Sequence, residues 1–169
     1  MTTVAVNVHT HACTHVATNM LRSLRQIVRE CGLSTAKMLE QWEVLERGVA
    51  TWLTSGHLKA LILEVYDLAD ARDDRRGRFD FTIDYGYYAD GDGDLWLDPE
   101  TVRRTVIKNG SYPSNCEYRL VADTKPGEPP VEGWSATTLR STDGFSRHSV
   151  GTAMGGGNLG ASLAYYRRS

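Results

Sequence analysis

Residues 116–135 read "CEYRLVADTKPGEPPVEGWS", and the character of the chain changes in the middle of them. Cys116, Tyr118, Leu120 and Ala122 occupy alternate positions, the period of a strand that turns one face to a core. From Thr124 onward the pattern stops. Residues 124–134 hold three of the five prolines, and eight of the sixteen glycines lie between Gly127 and Gly160. A long irregular stretch in a compact domain is usually functional or disordered. Trp134, Phe145, Leu159, Tyr165 and Tyr166 are too many anchors for a plain linker. The segment is therefore expected to dock on the body of the protein, with short strand-like pieces at 137–140, 146–150 and 161–167, and to be able to dock in more than one way.

Working back toward the N-terminus, "DPETVRRTVIKNG" has Asp98 to cap, Pro99 at the first helical position, Glu100 near the positive end of the dipole and Gly110 past the far end. All four signals agree on a helix. "RFDFTIDYGY" alternates Phe79, Phe81, Ile83 and Tyr85 with Asp80, Thr82 and Asp84, a strand with one wet face. "LKALILEVYD" is a continuous apolar run rich in branched residues, which predicts a strand buried on both faces. A charged connector at 67–78 makes an antiparallel pair the simplest topology for these two.

Two helices precede them. Val16, Met20, Leu24, Ile27, Val28 and Cys31 recur at three and four from about Thr14, with Gly32 as the stop. After Ser34, Met38, Trp42, Leu45, Val49 and Trp52 form a second stripe that ends near Ser55 and Gly56. "TVAVNV" places Val4, Val6 and Val8 on alternate positions, the period of a short half-buried strand.

The chain has 169 residues, 41% of them hydrophobic and 24% charged, with a formal net charge of -2. That fits one ordinary globular domain. The basic residues are scattered along solvated faces, so neither nucleic acid nor a membrane surface is indicated as a partner. Three cysteines without C-x-x-C spacing give no disulfide framework or zinc knuckle, and a reducing cytoplasm is the expected compartment. No secretory leader and no membrane-length apolar window are visible in the sequence.

Few groups suggest chemistry. "HTHACTH" at 9–15 would put His9, His11, Cys13 and His15 on one side of a strand, as a metal would want. A small metal-dependent enzyme using His9, His11 and His15 is the alternative reading, but a strand-to-helix junction explains the stretch without a metal. Asp90, Asp92 and Asp94 imitate a calcium loop, yet its sixth and twelfth positions are Leu95 and Thr101, where glycine and glutamate are required. A solvent-facing turn is the expectation. "GGGNLG" at 155–160 lacks the Lys-Ser/Thr of a phosphate loop and reads as flexible chain. Cys116 with His148 could form a nucleophile pair, but Cys116 is in phase with Tyr118 and Leu120, so packing is expected. No catalytic residue and no cofactor emerges.

A small sheet flanked by helices leaves strand edges that something must cover. If the last residues can cover an edge and also leave it, an extended peptide can add a strand there.

At this point "TH..T.V..NML" at 10–21, "DGDG..W" at 90–96, "DTKPGEPPVEGWS" at 123–135 and "RSTDG" at 140–144 carry a resemblance. With the order of elements, the chain resembles the bacterial HORMA proteins of cyclic-oligonucleotide anti-phage defence systems. The resemblance implies an α+β fold: a small, mainly antiparallel sheet packed on three helices, one domain over 1–169, with a core at 1–123 and a mobile safety belt at 124–169. It implies a non-catalytic adaptor that closes its belt around a closure peptide. The peptide would lie on the strand of Cys116, Tyr118, Leu120 and Ala122, with Trp134 anchoring the belt. It further implies that the closed form activates a cGAS-like nucleotidyltransferase. An AAA-type ATPase would reopen it by gripping the N-terminal stretch around Thr2, Thr3, Val4 and Val6.

Overall fold

In the computed structural model, which describes residues 2–67, 75–85, 99–109, 112, 116–156 and 159–168, the first element is a single helix, α1, over Thr2–Glu30. The strand expected at Val4, Val6 and Val8 is therefore not formed. Its alternation spans only three positions, no glycine or proline lies between Thr2 and Glu30, and each residue added to an existing helix gains a hydrogen bond without a new nucleus. At the other end Gly32 adopts φ 83. The Leu33 N–H donates to Val28 O and the Gly32 N–H to Arg29 O, the paired bonds that close a helix over a left-handed residue.

The second stripe forms as two helices, α2 (Ala36–Glu40) and α3 (Trp42–Ser55), separated at Gln41, which leaves helical geometry at ψ 12. Gly56, in left-handed conformation, ends α3. Then come β1 (Leu58–Tyr66) and β2 (Arg75–Asp84), antiparallel as expected, with Ile62 opposite Asp80 and Leu63 opposite Phe79. Helix α4 (Pro99–Asn109) starts at the anticipated proline. Asp98, Gly110 and the turn expected at Asp90, Asp92 and Asp94 lie outside the described residues. β3 (Glu117–Thr124) pairs antiparallel with β1.

The remainder of the chain is more regular than expected. Residues 137–140 are not strand, whereas β4 (Phe145–Gly156) and β5 (Leu159–Arg168) make a long hairpin. Gly155 and Gly156 close its strands instead of forming flexible chain. The hairpin joins the sheet through β5, which pairs with β2, so the strand order is β3-β1-β2-β5-β4.

One face of this sheet carries the core. Leu61, Leu63 and Val65 of β1, Phe79 and Phe81 of β2 and Leu163 and Tyr165 of β5 pack with Met20, Leu24 and Ile27 of α1, Val49 and Leu53 of α3 and Val102 of α4. On the opposite face Ala60, Ile62 and Val121 form a second, smaller cluster covered by Leu139. β1 is thus buried on both sides, as its continuous apolar run predicted. The expected wet face of β2 holds at Thr82 and Asp84, which are exposed. Asp80 is buried because the Arg78 guanidinium grips both its oxygens, at 2.7 and 2.9 Å.

Candidate functional site

β3 ends the sheet and has a neighbouring strand on one side only. Residues 125–144, the strap, leave β3 and return to the sheet at β4, on its far margin. The strap is first fixed on the helical side. The Lys125 N–H donates to His57 O at 2.7 Å, and Trp52 Nε1 donates to Pro129 O at 2.8 Å. Trp134 lies edge-on to Trp52, with ring centroids 5.0 Å apart, and its Nε1 donates to Val44 O at 2.9 Å. A half-buried indole packed in this way needs such an acceptor, so α3 supplies both the apolar bed and the polar partner.

Within a few residues the same strap is on the other face. Arg119 of β3 donates to Thr137 Oγ1 at 2.9 Å and to Thr138 O at 2.6 Å, and Leu139 covers Ile62 and Val121. Ser135 and Ala136 therefore pass around the margin of β3. Between this crossing and the strand lies a cavity of about 390 Å3, lined by Trp52, Leu120, Ala122, Val131, Trp134 and Thr137 among others.

Two further hollows continue it along β3. One of about 180 Å3 shares Leu120 and adds Met38, Gln41, Leu45 and Tyr118. The next, about 440 Å3, shares Lys37 and Tyr118 and adds Leu33, Ala36 and Cys116. Together they make a groove along the margin of an eight-residue strand, floored by side chains and walled by α2, α3 and the strap. Tyr118 holds its wall in place, its hydroxyl donating to Ser34 O at 2.7 Å, and burial pushes its phenol above the ordinary range. An unpaired strand margin beside such a groove offers main-chain hydrogen bonds and side-chain pockets together.

Cys116, Tyr118, Leu120, Ala122 and Trp134 all line this groove. The N-terminal residues Thr2, Thr3, Val4 and Val6 begin α1, and their side chains lie outside the described residues, as do those of His9 and His11. A helix turns about 100° per residue, so the alternate positions 9, 11, 13 and 15 do not share a face as they would on a strand. Cys13 is fully buried in the core, and His15 Nε2 lies 3.2 Å from Asn19 Nδ2. Among the described residues no three metal-binding side chains converge. Cys116 immediately precedes β3 and His148 stands on β4, at opposite ends of the sheet, and His148 stacks on Tyr165 at 5.1 Å. They form no nucleophile pair, and Cys116 packs in the core as expected.

Two contributors were not singled out from the sequence. Gly48 of α3 lies directly beneath the Trp134 ring, where a Cβ would overlap it. Glu64 is fully buried in β1, and its only sequence signal is that it is the one acidic residue inside "LKALILEVY".

The fold is that of solved HORMA structures. A chain of the Mitotic Checkpoint Complex matches with a TM-score of 0.65 and 10% identity, over 91% of this chain and 97% of that one. C. elegans HTP-2 bound to a HIM-3 closure motif matches at TM-score 0.61 and 14% identity, over 89% and 88%. The E. coli MS115-1 CdnC:HORMA-deltaN complex matches at 0.61 and 15%, over 95% and 89%. No curated protein matches the chain. A family model described as bacterial HORMA domain 2 matches residues 1–169, the full length over which the sheet, its helical face and the strap are built. The chain belongs to the bacterial HORMA domain 2 family.

Proposed function

We propose that this protein is a non-catalytic adaptor that holds an extended closure peptide against the outer margin of β3, under the strap. The observation that carries the reading is the strap's passage from Trp134 on one face to Thr137 on the other, with the 390 Å3 cavity between it and β3. The HTP-2 structure, bound to a closure motif, has the same fold. In this reading residues 1–123 with the β4–β5 hairpin docked form the closed state, and residues 124–169 are the belt that rearranges.

The partners follow from the same reading. The closed form binds and activates a cGAS-like nucleotidyltransferase in the cytoplasm, as part of anti-phage defence; the similar E. coli HORMA chain stands in complex with CdnC. An AAA-type ATPase reopens it by pulling on α1 from Thr2, Thr3, Val4 and Val6. This direction of pull is mechanically sensible, because α1 lies against β4 and β5 and its loss strips the hairpin of its support.

The test is selection of a displayed random-peptide library on the protein, followed by fluorescence polarisation with the selected peptides. Peptides of the predicted class lose at least about tenfold in affinity for Ala122→Phe, whose ring enters the cavity that Trp52 and Trp134 line. Equal binding to both proteins would put the ligand elsewhere. With a purified nucleotidyltransferase from the same genome, second-messenger synthesis rises with peptide-loaded adaptor and not with the peptide-free form.

A further inference from the structure

Glu64 is fully buried in the centre of β1, a place where a carboxylate persists only with partners. Its Oε1 accepts from Arg119 Nε at 2.7 Å, and its Oε2 accepts the backbone N–H of Arg140 at 2.9 Å. Arg119 is the cross-strand neighbour of Glu64 in β3, and it also holds Thr137 Oγ1 and Thr138 O. The Arg140 guanidinium in turn lies 4.3 Å from the Tyr66 ring. The bonds from Arg119 to Thr137 and Thr138 and from the Arg140 N–H thus lead to one carboxylate, directly or through one arginine.

The place of this cluster in the fold gives it a role beyond stability. Trp134 fastens the strap to the helical face, and Glu64 with Arg119 fastens it to the opposite face only a few residues later. A peptide on the margin of β3 would be enclosed between the two fastenings and could leave only when one of them lets go. The Trp134 fastening rests on packing against Trp52 and on neutral bonds, from Trp134 Nε1 to Val44 O and from Trp52 Nε1 to Pro129 O. The Glu64 fastening is charge-assisted and buried, the kind of bond roughly twice as strong as a neutral one.

We propose that Glu64 is a positioning residue, acting with Arg119 as a clasp that holds the strap closed and so sets how long a bound peptide is retained. This rests on the peptide reading for its functional consequence, whereas the clasp itself can be measured without any peptide.

The Arg140 amide, which donates to Glu64, is the reporter. Its hydrogen exchange in the peptide-free protein, followed residue by residue by NMR, should rise roughly 10- to 100-fold in Glu64→Gln, with amides in the β1–β2 ladder unchanged. Thr137→Val, an isosteric change at an exposed position, removes one strap bond without leaving Glu64 unpaired. It should raise Arg140 exchange about three- to tenfold, and it keeps the test available if Glu64→Gln does not fold. The off-rate of a peptide selected on the wild-type protein should rise in the same order, with Arg119→Lys falling between wild type and Glu64→Gln. Unchanged Arg140 exchange in Thr137→Val, or acceleration spread evenly over the whole sheet, would overturn the clasp. Accelerated exchange with no peptide bound by any of the proteins would leave the clasp standing and remove the peptide reading.

Discussion

Gly48 and Trp134 compete for one site: a Cβ built on the glycine overlaps the Nε1 edge of the indole, while that indole donates to Val44 O one turn earlier in α3. A glycine in the middle of a helix ordinarily costs about 1 kcal/mol relative to alanine. Here it makes room for the strap. Gly48→Ala is expected to keep α3 intact, through its better propensity, and to displace Trp134, giving up about 1.5–3 kcal/mol of apolar burial and about 1 kcal/mol of hydrogen bonding. The strap loses more than the helix gains. The off-rate of a bound peptide should increase at least about tenfold, with helical circular dichroism unchanged; a helix that melts earlier while peptide retention is normal would contradict this assignment.

Removing the C-terminal stretch and loosening it are expected to differ. Leu159, Ala161, Leu163 and Tyr165 are buried in the main core, and β5 completes the ladder of β2. Burying each large apolar side chain is worth about 1.5–3 kcal/mol, so a chain truncated after Asp123 should not fold as a soluble monomer. Replacing residues 127–136 by a Gly/Ser linker of equal length leaves the hairpin in place and removes the Trp134 fastening. That protein should remain folded and lose peptide retention. Size-exclusion chromatography with amide exchange separates the two cases, and a folded monomer from the truncated chain would show that the hairpin is dispensable.

Stability should fall on the alkaline side. Burial in the core, helped by the neighbouring charge of Glu30, pushes the Cys31 thiol from 9.0 up to about 12. Burial likewise pushes the Tyr85 phenol from 10.0 up to about 12, where its hydroxyl donates to Leu58 O at 2.7 Å. The folded state therefore holds both protons more tightly than the unfolded chain. By linkage the contribution is complete below about pH 9 and is lost as pH rises toward 12. Urea midpoints measured between pH 8 and 11.5 should decline steadily above pH 9. A level midpoint across that range would mean that neither group is buried as described.

The parts legible in the sequence were those with an unbroken period. The stripes from Met20 to Cys31 and from Trp42 to Trp52, the two-sided burial of "LKALILEVY" and the start of α4 at Pro99 all follow from spacing and capping, whereas the break at Gln41 that separates Met38 from the second stripe does not. β4 was not legible as a long strand, because its register shifts between Ser149 and Gly151 and again between Thr152 and Met154. Each such irregularity inverts the alternation on which strand reading depends. The N-terminal strand failed for the opposite reason: three valines in alternation are compatible with helix once a long helix follows them. In the groove, Tyr118, Leu120 and Trp134 stood out as apolar residues in a telling order. Gly48 and Glu64 did not, since their significance lies in what packs against them from residues far along the chain.

The most direct test of the account is amide exchange along both sheet margins with and without a selected peptide. An extended ligand on β3 should protect alternate amides between Glu117 and Thr124, those facing away from β1, together with the strap from Glu128 to Arg140, and leave the outer margin of β4 unaffected. A peptide that binds tightly while the β3 amides exchange at their free rate, or that protects β4 instead, would contradict the account.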